Sequence, residues 1–344
     1  MAAILALVAV GVLFATYGTA LPPSPFSTLE PNRPTQADSN GEHTAFIDTE
    51  SSRALILDAN GQLTGMVLST MLDSPFDAMT DVSLDGDTVY LSGVQFAPDS
   101  DDIERERVAK YDTQGNFLGV VYEHEGLGGS RPMLKALCSA PGGFVVAREV
   151  LSVDDANSSP IDSFYTDKRN EVLFEIIDGS GQVTKTTLEA KDGDIYDAAF
   201  SAESNLYGAV LSIRGVLEDT YRTYGPDLLK GHVFTAIAID DNATLYACDD
   251  IEGGLFAIDP VSQELRMIVD GNGWNDVHEN SGVLSLGDSE GNVVKTCDIT
   301  GAEIATIREA GLSPGLFARV LIVWASALYL IALVAFLAIR KLYR

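Results

Sequence analysis

Three aspartates, Asp81, Asp197 and Asp276, stand at nearly equivalent places in a repeated sequence unit. Carboxylates that converge from such repeats can hold a hard cation such as calcium through oxygen ligands. The same short side chains also accept backbone N–H bonds and fasten loops. Lys135 and Ala236 take the corresponding place in two further units. His278 lies in the polar run Trp274-Asn-Asp-Val-His-Glu-Asn280, and an imidazole in such a cluster is a candidate general base. Asp81, Lys135, Asp197, Asp276 and His278 therefore form the candidate ligand or cation set. Asp81-Val-Ser-Leu-Asp85-Gly86 opens like a calcium loop, but Ser92 occupies the twelfth position, where a bidentate glutamate belongs. No GxSxG, HExxH or phosphate-binding glycine loop occurs. Cys138, Cys248 and Cys297 lack metal-ligand spacing and read as small buried hydrophobes. No residue is assigned as catalytic.

The elements that must position these residues are short alternating strands. Arg107–Glu123, RVAKYDTQGNFLGVVYE, alternates apolar and polar side chains, turns at Asp112-Thr-Gln-Gly115, and alternates again, as a tight hairpin does. Asp58-Ala-Asn-Gly61, Asp178-Gly-Ser-Gly181 and Asp298-Ile-Thr-Gly301 repeat the turn, and Asp259-Pro-Val-Ser262 replaces its glycine with serine. A second unit precedes most of the hairpins, as in DVSLDGDTVYLS from Asp81 and AIAIDDNATLYA from Ala236. Aligning Tyr90, Val145, Tyr207, Tyr246 and Leu284 gives spacings of 55, 62, 39 and 38 residues, and the shorter two match a four-stranded propeller blade. The expected fold is all-β, a single β-propeller of about six four-stranded blades. Each blade has inner strands a and b and outer strands c and d, the outer pair joined by the Asp-x-x-Gly turn. Blade 1 shows no convincing strand a, and Arg214–Gly231 is an irregular stand-in for strands c and d of blade 4. A β-sandwich is the alternative that the repeat spacing disfavours.

The turns LDANGQL and YDTQGNFLG, with their relatives across residues 43–308, resemble those of NHL-type and quinoprotein-type β-propellers. The resemblance extends to the extracytoplasmic propellers of bacterial membrane-bound sensors, although no cytosolic output domain follows in this sequence. It implies a fold and little about activity, because propellers host many functions. Metal-dependent lactonases built on six-bladed propellers use Asn, Asp and Glu around the channel, and the Trp274–Asn280 cluster is similar to that arrangement.

Three insertions interrupt consecutive blades near the b–c junction: Phe96–Glu106, Val150–Asn170 and Arg214–Gly231. All b–c and d–a connections leave from one face of the disc, so the insertions crowd one sector of one face. Long loops in a compact domain are disproportionately functional. Asp101 and Asp102 in the first, Tyr165 in the second, and Tyr221 and Tyr224 in the third are the candidate partner-contacting residues.

Membrane signals flank the propeller. Residues 1–20 are apolar and uncharged, and read as a signal peptide or an N-terminal membrane anchor. Residues 21–42 read as a flexible linker, 43–308 as the propeller and 309–315 as a short linker. Residues 316–340 read as a transmembrane helix, since Val320–Ile339 is twenty residues without a charge. Arg340, Lys341 and Arg344 place the 341–344 tail in the cytoplasm and the propeller outside. If strand d of the last blade exits on the insertion face, the short linker holds that face close to the membrane. A net charge of −28 argues against a nucleic-acid partner.

These features point to a binding module of the cell membrane, single- or double-pass, that senses a small ligand or docks a membrane protein through its insertions. A cation-dependent hydrolase or lactonase using the channel-mouth carboxylates, with calcium as the candidate cation, is the second expectation. A scaffold for an envelope complex is the third.

Overall fold

β-Branched and aromatic residues alternating with polar ones suit a pleated, half-buried surface, and most of the described residues before Pro314 take that form. The structure, a computed structural model, describes residues 29–342 apart from 71–73, 127–131, 152–168, 193–194, 202–205, 212–215, 220–221, 224–231, 233, 250–252, 260–261, 263 and 272. Residues 1–28, the expected signal peptide or anchor among them, lie outside this description, as do Tyr165, Tyr221 and Tyr224.

The strands pair into five four-stranded antiparallel sheets and one five-stranded sheet. Blade 1 is β1 (Pro34–Ser39), β2 (His43–Asp48), β3 (Arg53–Asp58) and β4 (Gln62–Leu68), and blade 2 is β5 (Ala78–Asp85), β6 (Thr88–Phe96), β7 (Ile103–Asp112) and β8 (Phe117–Glu125). Blade 3 is β9 (Leu134–Ala140), β10 (Gly143–Leu151), β11 (Arg169–Asp178) and β12 (Val183–Asp192), and blade 4 is β13 (Ile195–Ser201), β14 (Leu206–Leu211), β15 (Val216–Asp219) and β16 (Arg222–Thr223). Blade 5 is β17 (Phe234–Ile239), β18 (Leu245–Asp249), β19 (Leu255–Ile258) and β20 (Leu265–Val269), and blade 6 is β21 (Trp274–Asn280), β22 (Val283–Asp288), β23 (Val293–Asp298) and β24 (Glu303–Ile307). The inner strands β1, β5, β9, β13, β17 and β21 touch in that order, and β21 returns to β1, which makes the molecule a β-propeller.

The core lies between blades. Ala45, Ile47, Ile56 and Val67 of blade 1 pack on Val82, Leu84, Val89 and Leu91 of blade 2. Ala37, Phe46, Leu55 and Leu57 of blade 1 pack on Val294 and Ile307 of blade 6. The c–d turns are alike: Asp112 Oδ1 accepts the N–H groups of Gln114 and Asn116 at 3.0 and 2.8 Å, and Gly115 N–H donates to the Asp112 carbonyl at 2.9 Å. Asp58, Asp178 and Asp298 make the same three bonds. Gly115 sits at φ 77°, and a Cβ there would lie 2.8 Å from the Met66 carbonyl oxygen of the preceding blade. The turns of blades 2, 3 and 6 thus also wedge their outer hairpins against the preceding blade, since a Cβ at Gly181 or Gly301 would likewise meet the carbonyl of Val121 or Ile268.

Two features differ from the sequence reading, and a third, in blade 4, agrees with it. The stretch read as a linker contains β1, the inner strand that blade 1 had lacked. Pro34-Thr-Gln-Ala-Asp-Ser39 has little apolar alternation because its hydrogen bonds and its neighbours, not its own side chains, order it. The insertion Phe96–Glu106 is partly strand: β6 and β7 pair out to Phe96 and Ile103, leaving Ala97–Asp102 as the tip. In blade 4, β15 and β16 are a stunted outer pair within Arg214–Gly231.

The end of the chain also takes an unexpected course. The chain ends β24 on the b–c side of blade 6, as expected, where Ile307 pairs with Val294. It crosses to the rim of blade 1, where β25 (Gly311–Leu312) adds parallel to Gln62–Leu63, at the turn end of β4. The tilt of the outer strands brings the end of one blade's last strand beside the c–d turn of the next, a consequence of sheet twist. Helix α1 (Pro314–Leu342) then begins: Ser313 Oγ accepts the Leu316 N–H at 3.3 Å, and Pro314 occupies the first helical position. At 29 residues α1 is about 43 Å long. Its Pro314–Leu337 segment is long and apolar enough to cross a membrane.

Candidate functional site

The inner strands carry a shared irregularity that sets the site. Each has a register shift near its start, leaving one extra residue: Thr35, Thr80, Lys135, Tyr196, Thr235 and Asn275. The residues after it, Gln36, Asp81, Ala136, Asp197, Ala236 and Asp276, are structurally equivalent. The equivalence of Asp81, Asp197, Ala236 and Asp276 thus matches the sequence reading, and that of Lys135 does not. Lys135 is the bulged residue and Ala136 holds the aspartate position, a one-residue slip that turns a side chain to the other face.

Asp81 and Asp276 reach across to the next blade. Asp81 Oδ2 accepts the Leu137 N–H of blade 3 at 2.6 Å, and Asp276 Oδ2 accepts the Ala37 N–H of blade 1 at 3.0 Å. Between them Asp38 Oδ2 accepts the Leu84 N–H of blade 2 at 2.7 Å. An inner strand has a free edge toward the channel, whose N–H groups need partners. The carboxylates supply them and stitch blade 6 to 1, 1 to 2, and 2 to 3.

His278 joins this network from the same face of β21. Its Nε2 lies 3.2 Å from Asp81 Oδ1 and 3.5 Å from Asp276 Oδ2, so one imidazole links blades 6 and 2. Asn280, two residues further on, donates from Nδ2 to Asp38 Oδ2 at 3.1 Å and to the Leu84 carbonyl at 2.8 Å. The carboxylates and Asn280 are buried and the His278 side chain is 10% exposed; Asp38, Asp81 and Asp276 are 1%, 7% and 3% exposed, which separates them from bulk water.

Burial shapes the charges. It pushes the Asp276 carboxyl up to about 7, with His278 pulling back and Asp81 adding to the rise. It raises Asp38 too, against the pull of His278, the Leu84 N–H and Asn280; Asp38 Oδ1 is buried without a hydrogen-bond partner. Burial alone would lower the His278 imidazole, but Asp276, Asp81 and Asp38 outweigh it and hold it well above its ordinary value. The cluster is a cationic imidazole shared by several carboxyls.

The other candidates lie elsewhere. Lys135 pairs with buried Glu149 at 3.3 Å and donates to the Pro132 carbonyl at 2.7 Å. Next to it, Glu106 Oε1 accepts the N–H groups of Met133 and Leu134 at 2.6 and 3.2 Å, fastening blade 2 to blade 3 a second time. Burial raises the Glu106 carboxyl, and Lys135 and Arg148 offset part of the rise. Asp197 is placed on β13. Asp101 and Asp102 are exposed at the tip of the β6–β7 hairpin, far along the strand from the buried cluster.

Among the described residues no group of three or more His, Cys, Asp and Glu side chains is arranged to hold a metal ion. Both oxygens of Asp81 and Oδ2 of Asp276 are engaged by backbone N–H groups and His278. Sequence reasoning missed Asp38, Asn280 and Glu106. Asn280 was open to it, since Asp276, His278 and Asn280 follow the two-residue period of one strand face. Asp38 was hidden because its strand read as a linker.

No protein-family model matches the chain, and no curated protein matches it. Among solved structures, a Bacteroides thetaiotaomicron protein of unknown function is similar at 9% identity, with TM-score 0.50 over 78% of this chain and 70% of that one. A luciferin-regenerating enzyme aligns at 10% identity and TM-score 0.47, over 83% of this chain and 94% of its own. The virginiamycin B lyase of Staphylococcus aureus aligns at 9% identity and TM-score 0.45, over 82% and 87%. Likeness at such identities concerns the fold alone. That fold is a β-propeller, as the repeated turns implied.

Proposed function

We propose that the protein is a membrane-anchored extracytoplasmic propeller that binds a ligand or a partner protein through the b–c hairpins of blades 2 and 3. The observation that carries this reading is their length. Strands b and c have 9 and 10 residues in each of blades 2 and 3, against 5 and 4 in blade 5 and 6 and 6 in blade 6. Strands that outlast their neighbours present a rigid ledge at one edge of the disc, and rigid elements make better recognition surfaces than loops. Asp101 and Asp102 at the blade 2 tip give that ledge an acidic end suited to a basic partner. Helix α1 anchors the domain in the cell membrane, with Arg340 and Lys341 at the cytoplasmic end.

A photo-reactive residue placed at Ser100 in the full-length protein, in its native membranes, tests this reading. Discrete cross-linked species are expected from Ser100 and none from Gln114, on a c–d turn. Equal labelling from both positions, or from neither, rejects the hairpin as the binding edge.

A further inference from the structure

The first described residue and the start of α1 meet. Leu29 N–H donates to the Ala310 carbonyl at 2.9 Å, and Ala310 N–H donates to the Leu29 carbonyl at 2.7 Å. The bridge is antiparallel. The N-terminal side of Leu29 therefore faces the start of the helix. Leu29 packs in the same cluster as Met66, Leu312 and Leu316, at the foot of α1. Leu29 and the foot of α1 are thus neighbours on the rim of the propeller.

Helix α1 has an apolar face that the described strands do not account for. The strands that pack on it, Gln62–Leu68 and Gly311–Leu312, lie at its first turns. Yet Val320 is fully buried, and Val323, Ala327 and Leu330 are half-buried, while Leu321, Ile322, Leu328 and Tyr329 on the other side are 42–71% exposed. Leu316, Val320, Val323, Ala327 and Leu330 recur at alternating spacings of four and three, the seam of a helix pair. Residues 1–20 supply an occupant of matching length. They are uncharged and apolar, about 30 Å long as a helix, and end only nine residues before Leu29. Gly11 and Ala15 give that run a small-xxx-small pair, which permits close approach in lipid.

We propose that residues 1–20 remain on the chain as a second membrane helix, packed antiparallel against the Leu316–Val320–Val323–Ala327–Leu330 seam of α1. The propeller then stands on a two-helix stalk that limits its swivel, with Met1 on the same side of the membrane as Arg340 and Lys341. The pairing rests on the membrane reading of α1.

Cysteine cross-linking of the full-length protein in membranes tests it. Single cysteines from Leu7 to Val12 are combined in turn with Val320→Cys, Val323→Cys or Ala327→Cys on the seam, and with Ala318→Cys, Ile322→Cys or Ala325→Cys on the exposed side. The native thiols of Cys138, Cys248 and Cys297 are in propeller strands, away from these positions. The expected result is an intramolecular disulfide formed several-fold faster with seam positions than with exposed ones. Equal rates, no cross-link, or disulfides between two copies overturn the pairing. The intact mass of the unsubstituted protein is a second readout that no misfolded variant affects: retention of residues 1–20 is expected, and their removal overturns the proposal. Alkaline washing separates the two readings. Release of the protein rejects the membrane reading and the pairing with it; retention without seam cross-links rejects the pairing alone.

Discussion

The inner strands of blades 6, 1 and 2 and those of blades 3 and 5 offer equivalent positions and fill them in opposite ways. In the first group the row holds Asp276 and His278, Asp38, and Asp81, and the contact between blades is a carboxylate on a backbone N–H. In the second it holds Ala136 and Cys138, and Ala236 and Ala238, which join apolar clusters; Ala236 and Ala238 pack with Val277 and Leu284 of blade 6. Small apolar residues let blades approach and gain from burial with no desolvation cost. Buried carboxylates are worth having only where a donor must be satisfied. The polar group lies where the chain's two ends meet: blades 6 and 1 come from opposite ends, so no strand shared between them closes the ring. Side-chain bonds, the bridge between Leu29 and Ala310, and β25 do so instead.

The largest expected effect breaks the polar side. Asp276→Ala removes the acceptor of the Ala37 N–H and leaves His278 with less counter-charge, so chemical denaturation of the propeller should show a loss of about 3–5 kcal/mol. Asp276→Asn keeps an acceptor and should lose about 1–2 kcal/mol. A loss for Asp276→Ala no larger than that of a surface substitution removes the carboxylate stitch from the account of closure.

Titration gives the next effect. Asp276 and Glu279 are raised to about 7, Glu279 by burial first, against the bond from the Gly282 N–H and with Asp241, Asp240 and Asp38 adding to the rise. A raised carboxyl favours folding while protonated and disfavours it once ionised. The raised His278 contributes stability below its unfolded value, lost as pH rises through its higher folded one. All three signs agree, so stability read from the unfolding midpoint should fall as pH rises, the carboxyl share between about pH 4 and pH 8 and the His278 share above about pH 6.5, by on the order of 1–3 kcal/mol in all. A flat or rising profile contradicts the cationic cluster.

The turns sharpen the comparison because the Asp-x-x-Gly turn occurs in both groups, in blades 1, 2 and 6 and in blade 3. Gly115→Ala meets both a left-handed φ and the Met66 carbonyl, and should cost about 2–3 kcal/mol. Gly61, at φ 71° with open space around it, should cost only about 1 kcal/mol as Ala. Equal losses in thermal denaturation would mean that the turns do not wedge the blades. The smallest effect concerns calcium: with both Asp81 oxygens and Asp276 Oδ2 engaged, millimolar calcium should leave the midpoint unchanged, and a rise would show that the cation can recruit them.

Much of the fold was legible from local chemistry. Asp112 and Gly115 announce their turn because the carboxylate, the left-handed glycine and the flanking alternation all lie within a few residues. Val320–Ile339 announces a membrane-length helix for the same reason. The site was half legible: Asp81 and Asp276 stood out through the repeat, and Asp38 did not, because β1 is a strand only by virtue of its neighbours.

The sequence by itself determined the repeating strands, the hairpin turns and the apolar helix, since each depends on residues close together in the chain. Only the tertiary structure decided that Lys135 is a bulge and Ala136 the aspartate equivalent, that His278 answers to Asp81 as well as Asp276, and that the chain's end docks on the rim of blade 1. Those outcomes depend on register, sheet twist and ring closure, which bring together residues some 200 positions apart, such as Ala37 and Asp276.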